Sequence, residues 1–365
     1  MSPEGGVVAG VGGSLPHGAE QSGSTGESDR WWETVVRVSD AMIDPELRRR
    51  GKVLRRVLKS SRSVDELGGS GPLPEVVSRW LRSRVPRGLT RDEEYVTRPD
   101  GSRLRLLIFR SATAGLATAE PGAPGLLWLH GGGYVSGAAE HETSAFSSMI
   151  LGSGAVVVAP DYRLSTEAPF PAALDDCYSA LLWLKDNAAR LGVRSDQIAV
   201  GGGSAGGGLT AATTLVARDK AEVRVAFQMP IYPMIDDRDL TPTGQDNDAP
   251  VWDAVTNRSA WKLYLGELYG TADVPAYAAP SRATDYANLP PTMTYVGGVE
   301  AFRDETVRYV ADLSEAGVPV EFREYPGAFH GFDVLVPKAT VSRAATAFRN
   351  QWFGYAVRTF FAPQT

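Results

Sequence analysis

Cysteine is nearly absent: Cys177 is the one thiol in 365 residues, which excludes an internal disulfide framework and a cysteine-based zinc site. It falls in an expected helical stretch, 172–187, where its simplest reading is a small buried hydrophobe and not a redox group. Excess charge of one sign is lacking too. With 37 basic and 43 acidic residues the net charge is −6, and Lys and Arg are scattered, so neither nucleic acid nor an anionic membrane surface is indicated as a partner. No apolar run reaches the roughly 18 residues of a membrane span, and the N-terminus lacks a basic start followed by an apolar region. These absences lead to the expectation of a cytoplasmic protein whose partners are small molecules. Residues 1–30, dominated by Gly, Ser and Glu, carry too little apolar surface to offset ordering entropy, and a disordered tail is expected there.

What is present builds a core: 43% of the residues are hydrophobic, enough for one large α/β domain with insertions. From Trp31 to about Val85 the pattern is helical, with Asp44-Pro45-Glu46 as an N-cap and first turn and Val76, Val77, Trp80 and Leu81 as an apolar stripe. Strands are expected at 91–97, 104–109, 126–130, 155–159, 197–201, 225–229, 293–296 and 320–325. Helices are expected near 145–152, 172–189, 207–218, 304–316 and 338–361. Several strands are continuous apolar runs, as in a parallel sheet covered on both faces, while the first two alternate and point to an antiparallel edge. The fold class expected is α/β, an eight-stranded, mostly parallel sheet with helices on both faces. One interval breaks the rhythm. About 60 residues separate Met229 from Met293 and carry Tyr232, Met234, Trp252, Trp261, Tyr264, Leu265 and Tyr269. These aromatics either hold a small helical insertion together or form a lid over a site.

The chemistry centres on Gly202-Gly203-Ser204-Ala205-Gly206, which fits G-x-S-x-G between an expected strand and an expected helix. In that motif the serine sits at strained backbone angles, and flanking glycines let strand and helix pass without collision. A dinucleotide loop would instead want G-x-G-x-x-G near the first strand and a carboxylate about 20 residues on. A serine hydroxyl needs a base in hydrogen-bond reach, and the tetrahedral intermediate needs donors for its oxyanion. His130-Gly131-Gly132-Gly133-Tyr134 directly follows an expected strand, so Gly132 and Gly133, with Ala205 after the nucleophile, are the expected oxyanion donors. The chain has four histidines: His17 lies in the tail, His130 in the oxyanion loop and His141 just after it, which leaves His330, beyond the last strand, as the base. The orienting acid is expected after the strand 293–296. Glu300 stands first in that loop, whereas Asp304 and Glu305 fall in the opening turn of the next helix, where the helix dipole alone favours acids; Glu300 is the expected acid and Asp304 its alternative.

Together these segments resemble the bacterial hormone-sensitive-lipase-like branch of the α/β-hydrolase fold, also called family IV carboxylesterases. The resemblance runs from about Leu126 to Phe332 and rests on His130-Gly131-Gly132-Gly133, Asp161-Tyr162-Arg163-Leu164, Phe170-Pro171-Ala172-Ala173, Gly203-Ser204-Ala205-Gly206-Gly207, Ala279-Pro280-Ser281, Leu289-Pro290-Pro291-Thr292 and His330-Gly331-Phe332. Two positions depart from the family. Gly203 replaces its usual Asp, and Glu300 aligns with the Asp of its D-P-L-x-D-E segment, one methylene longer but ionised at neutral pH like Asp. The resemblance implies N-terminal cap helices over 31–88, a catalytic domain over 89–365 and a cap insertion at about 231–289. It also implies a homodimer through the strand 320–325. The function expected is a serine carboxylesterase cleaving short- to medium-chain esters through an acyl-enzyme, with no metal or organic cofactor. Another acyl substrate (a lactone, an acetylated natural product or an amide) fits the same residues, because a triad sets acyl transfer and a cap sets the substrate. A binding protein on the same fold, as in plant gibberellin receptors, is the remaining alternative; those receptors lack the histidine retained here as His330.

Overall fold

Continuous apolar runs become the middle of the sheet. In the computed structural model, residues 37–57, 62–68, 85–113 and 122–364 are described. The expected tail, His17 and the stripe from Val76 to Leu81 lie outside them. The strands are β1 Leu89–Thr97, β2 Arg103–Ser111, β3 Ala123–Leu129, β4 Val156–Pro160, β5 Val193–Gly203, β6 Phe227–Ile231, β7 Thr292–Gly297 and β8 Val320–Tyr325. They form one eight-stranded sheet in the order β1-β2-β4-β3-β5-β6-β7-β8. Both pairs that include β2 are antiparallel and every other pair is parallel, the α/β architecture with an antiparallel edge.

Because successive side chains on a strand point to opposite faces, each buried strand feeds two cores. On one face Leu127, Leu129, Val158 and Val200 pack under the helices Ala172–Asp186 and Ala205–Lys220. On the other, Leu126, Trp128, Val157 and Met229 pack under the helices Thr143–Ser153 and Thr340–Thr359. Each fully buried side chain of this kind contributes about 1.5–3 kcal/mol relative to exposure. Cys177 is buried in the first core. The helix Pro45–Val57 begins where the Asp-Pro-Glu signal places it, with the Asp44 carboxylate accepting from the Glu46 N–H at 2.8 Å. One expected helix, 172–189, divides at Asn187, and Gly192 at φ 68 then turns the chain into β5, which starts four residues before the expected 197 to pair with Ala123.

Between β6 and β7 the chain leaves the sheet and forms the helices Pro242–Gln245 and Ala254–Leu265 with short 3-10 turns. Two segments at the base of this excursion are tied together. Ser281 N–H donates to the Ile235 carbonyl at 3.1 Å, the Arg238 guanidinium to the Ser281 carbonyl at 3.0 Å, and Arg282 forms a bidentate pair with buried Asp237 at 2.7 and 2.8 Å. Tyr264 stacks on Tyr134 at 4.0 Å, so part of its aromatic set does serve as core. Among the described residues no helix is long and apolar enough to cross a membrane.

Where β5 passes into the helix Ala205–Lys220, backbone meets backbone. A Cβ on Gly206 would lie 2.0 Å from the Leu129 carbonyl oxygen and 2.7 Å from that of His130, whereas Gly152, exposed on its helix, has nothing within 4 Å. Gly206→Ala is therefore expected to destabilise the fold by at least about 1–3 kcal/mol through forced backbone shifts. Gly152→Ala is expected to stabilise it by about 0.4–1 kcal/mol by narrowing the unfolded ensemble. Urea unfolding of both variants checks this; a wild-type midpoint for Gly206→Ala would show that the crossing is looser than described.

Candidate active site

Ser204 is the hinge between β5 and the following helix, and it has φ 61° and ψ −123°. Such a conformation costs about 1–3 kcal/mol for a residue with a Cβ, so the surroundings must hold it. They do so through the main chain. The Ser204 N–H donates to the Ile231 carbonyl at 3.0 Å, and its carbonyl accepts from Gly208 N–H at 2.9 Å and from Met234 N–H at 3.1 Å. The elbow is thereby bonded both to its own helix and to the chain leaving β6.

The hydroxyl faces His330. Ser204 Oγ lies 2.8 Å from His330 Nε2, and His330 Nδ1 lies 2.9 Å from Glu300 Oε2. The other Glu300 oxygen accepts from the Gly297 N–H at 3.3 Å, where the loop leaves β7. Relative exposures of 8% for Ser204, 6% for His330 and 0% for Glu300 show a graded site, most accessible at the serine and dry at the carboxylate. Burial raises the Glu300 carboxyl above the usual range, and the His330 ring and the Gly297 N–H draw it back. With Nδ1–H donated to the carboxylate, Nε2 is left as the acceptor for the serine proton. Tyr232 and Phe302 meet the imidazole edge to face, each with ring centroids 4.9 Å away, and fix its tilt. Asp304, the alternative acid, is engaged elsewhere, accepting from Arg303 at 2.8 Å and from the Thr243 N–H at 3.1 Å. Glu305 accepts from the Ile235 N–H at 2.9 Å.

The glycine loop after β3 lies against the elbow, where a Cβ on Gly131 would come within 3.3 Å of Ser204 Cβ. Gly132 and Gly133 follow at φ 123° and 63°, in a turn closed by Val135 and Ser136 N–H groups on the Gly132 carbonyl at 3.2 and 3.1 Å. Ala205, first residue of its helix, has an N–H among the four that no intrahelical carbonyl can accept. The loop is held from both sides. His130 stacks on Tyr162 at 4.0 Å, and the Tyr162 hydroxyl donates to the His130 carbonyl at 2.7 Å. Glu142 accepts from the Gly131 N–H at 2.6 Å and from the Trp128 indole at 2.8 Å, and burial pushes its carboxyl up to about 7.

Several of these groups escape a reading of the sequence. Glu142 sits in a polar segment that carries no motif. Asp333 lies only three residues after His330, yet its buried carboxylate makes sense only with partners remote in the chain, accepting from Tyr295 at 2.7 Å, Tyr232 at 3.1 Å and Arg349 at 3.2 Å. Tyr232 also accounts for the departure before the nucleophile. Its ring occupies the space beside Gly203, where a Cβ would come within 3.1 Å of Tyr232 Cε2. Among the described residues no group of three or more His, Cys, Asp or Glu side chains is placed to hold a metal ion.

Comparison with known proteins bears on the family and the fold. Residues 126–334 match the model of an α/β-hydrolase-fold family. Esterase LipI of Mycobacterium tuberculosis is 37% identical over 230 residues, 63% of this chain and 71% of the relative. Among solved structures, a bacterial heroin esterase superposes with a TM-score of 0.79 at 35% identity, covering 87% of this chain and 99% of its own. Esterase LipW of Mycobacterium marinum gives 0.72 at 28% identity, covering 87% and 97%. With the matched segment spanning more than half of its length and enclosing the serine, the acid and the histidine, the chain belongs to the α/β-hydrolase-fold family, in its hormone-sensitive-lipase-like branch.

Proposed function

We propose that this chain is a serine carboxylesterase that cleaves esters of short- to medium-chain acids through an acyl-enzyme. The observation that carries the reading is the hydrogen-bonded line from Ser204 Oγ through His330 to buried Glu300. Ser204 Oγ attacks the ester carbonyl carbon while its proton passes to His330 Nε2, and the oxyanion takes N–H bonds from Gly132, Gly133 and Ala205. The carbon–oxygen bond to the alcohol then breaks as His330 returns the proton to the leaving oxygen. Water repeats the sequence on the acyl-serine and frees the acid. Glu300, dry and hydrogen-bonded, holds the tautomer and stabilises the imidazolium. Relatives named as esterases support the reaction class.

We assign a cap role to 31–88 and to about 231–289. We also propose homodimerisation through β8, an edge strand of the sheet, and a cytoplasmic compartment, which the single buried cysteine supports. Light scattering and cell fractionation check the last two: a monomer, or protein recovered with the cell envelope, would count against them.

Turnover of p-nitrophenyl butyrate by folded variants tests the roles. Ser204→Ala is expected to lose about 10⁶-fold in kcat, and Glu300→Gln up to about 10⁴-fold by favouring the wrong tautomer. Asp304→Asn is expected to cost mainly stability, about 0.3–1 kcal/mol as a helix-start carboxylate. An inactive Asp304→Asn beside a near-normal Glu300→Gln would move the orienting role to Asp304.

Glu142 yields a pH prediction. With its carboxyl raised from 4.5 to about 7, the folded state holds a proton that the unfolded state releases between those values. Its contribution to stability is present below about pH 4.5 and is lost as pH rises through 7, by up to about 3 kcal/mol. Glu142→Gln removes that loss, so its unfolding free energy is expected to gain on wild type between pH 5 and pH 8. A constant difference across that range would mean that Glu142 ionises without penalty.

A further inference from the structure

Inside the insertion, Val251 has φ 79°, a conformation that β-branched residues almost never adopt. The next residue, Trp252, is turned inward by it and is 6% exposed. The indole N–H donates to Asn257 at 3.1 Å, one turn into the helix Ala254–Leu265, whose N-cap Asp253 accepts from Thr256 N–H at 2.7 Å. The ring is thus held between a strained residue before it and a hydrogen bond beyond it.

That position is beside the oxyanion loop. A Cβ on Gly133 would lie 2.1 Å from Trp252 Cη2 and within 3.0 Å of Cζ2 and Cζ3, so the six-membered ring rests directly on that glycine. Trp252 also meets Phe302, at 6.5 Å between centroids, and Phe302 is the ring set edge-on against His330 at 4.9 Å. His330, Phe302, Trp252 and Gly133 thus form one continuous aromatic wall from the base to the oxyanion loop. An ester whose carbonyl oxygen took N–H bonds from that loop would bring its carbonyl substituents near the glycine on which the Trp252 ring rests.

We propose that Trp252 sets the size limit of the substrate, its indole filling the space that a longer substituent on the ester carbonyl would occupy. This rests on the carboxylesterase reading. Rigid aromatic volume at the reacting centre discriminates strongly, because one methylene in an apolar pocket changes relative kcat/KM by about 10–200-fold. The strain at Val251 is then part of the device, since a relaxed residue there would aim the following side chain elsewhere.

The test compares full-length wild type, Trp252→Ala and Trp252→Phe. kcat/KM is measured for p-nitrophenyl acetate, butyrate and octanoate, and for ethyl and hexyl acetate. Trp252→Ala is expected to raise the long-to-short ratio in the acyl series or the alcohol series by at least about tenfold, and the responding series identifies the half of the ester that meets the wall. Trp252→Phe is expected to shift the same ratio in the same direction by a smaller factor, and it decides the matter if the alanine variant does not fold. Loss of overall activity with unchanged ratios would make Trp252 a structural residue only, and the proposal would be wrong. A wild type that cleaves none of these esters overturns the carboxylesterase reading first, and the size limit falls with it.

Discussion

The approach of one backbone to another at the end of β5 is the contact on which the site depends. Gly206 packs against the Leu129 and His130 carbonyls, the last residue of β3 and the first of the oxyanion loop. The same contact therefore does two things. It makes the strand-to-helix passage so tight that Ser204 takes a strained conformation, and it registers the proposed nucleophile against the glycine loop proposed to supply oxyanion donors. Preorganisation of this kind contributes to catalysis because dipoles already in place need no reorganisation as charge develops.

Around that contact Glu300 and Asp333 are buried and Glu142 is half-buried, and the protein treats each differently. Glu300 keeps one oxygen for His330 and gives the other to a backbone N–H. Asp333 is surrounded by two tyrosine hydroxyls and an arginine. Glu142 has only an N–H and an indole, and it is the one whose carboxyl rises to about 7. That rise follows from desolvation, which one N–H and one indole offset only in part. Glu300 reaches His330 from the loop after β7 despite the extra methylene, its second oxygen anchored on the Gly297 N–H.

Much of this is legible without coordinates, for identifiable reasons. The strands covered on both faces announce themselves as apolar runs such as Val156, Val157 and Val158, whose burial needs no knowledge of partners. Ser204, His330 and Glu300 are legible because their order along the chain and their places after strands limit where each can lie. What stays hidden is whatever depends on an excursion folding back. Trp252 reads equally well as insertion core or lid until Gly133 is found beneath it. Asp333 resembles an ordinary acid until Arg349, from the C-terminal helix, is brought alongside. Neither relation leaves a periodicity or a spacing for a sequence reading to find.

The tie at the base of the insertion has a mechanical consequence. Met234 is bonded to the Ser204 carbonyl, Ile235 to Ser281, Asp237 to Arg282 and Arg238 to Ser281, so the two ends of the excursion are clasped into a stem that shares hydrogen bonds with the nucleophile. A swing of the excursion that keeps this stem closed can bend only between residues 239 and 280. Beyond the stem the excursion is also bonded to the loop of the acid and the helix start after it, with Asn247 donating to the Val299 carbonyl at 3.2 Å and the Thr243 N–H to Asp304 at 3.1 Å, and Trp252 packs on Phe302, the ring set against His330. A displacement of the excursion is in this way transmitted to the loop that carries Glu300 and to the ring that tilts His330, so the excursion and the triad are mechanically coupled.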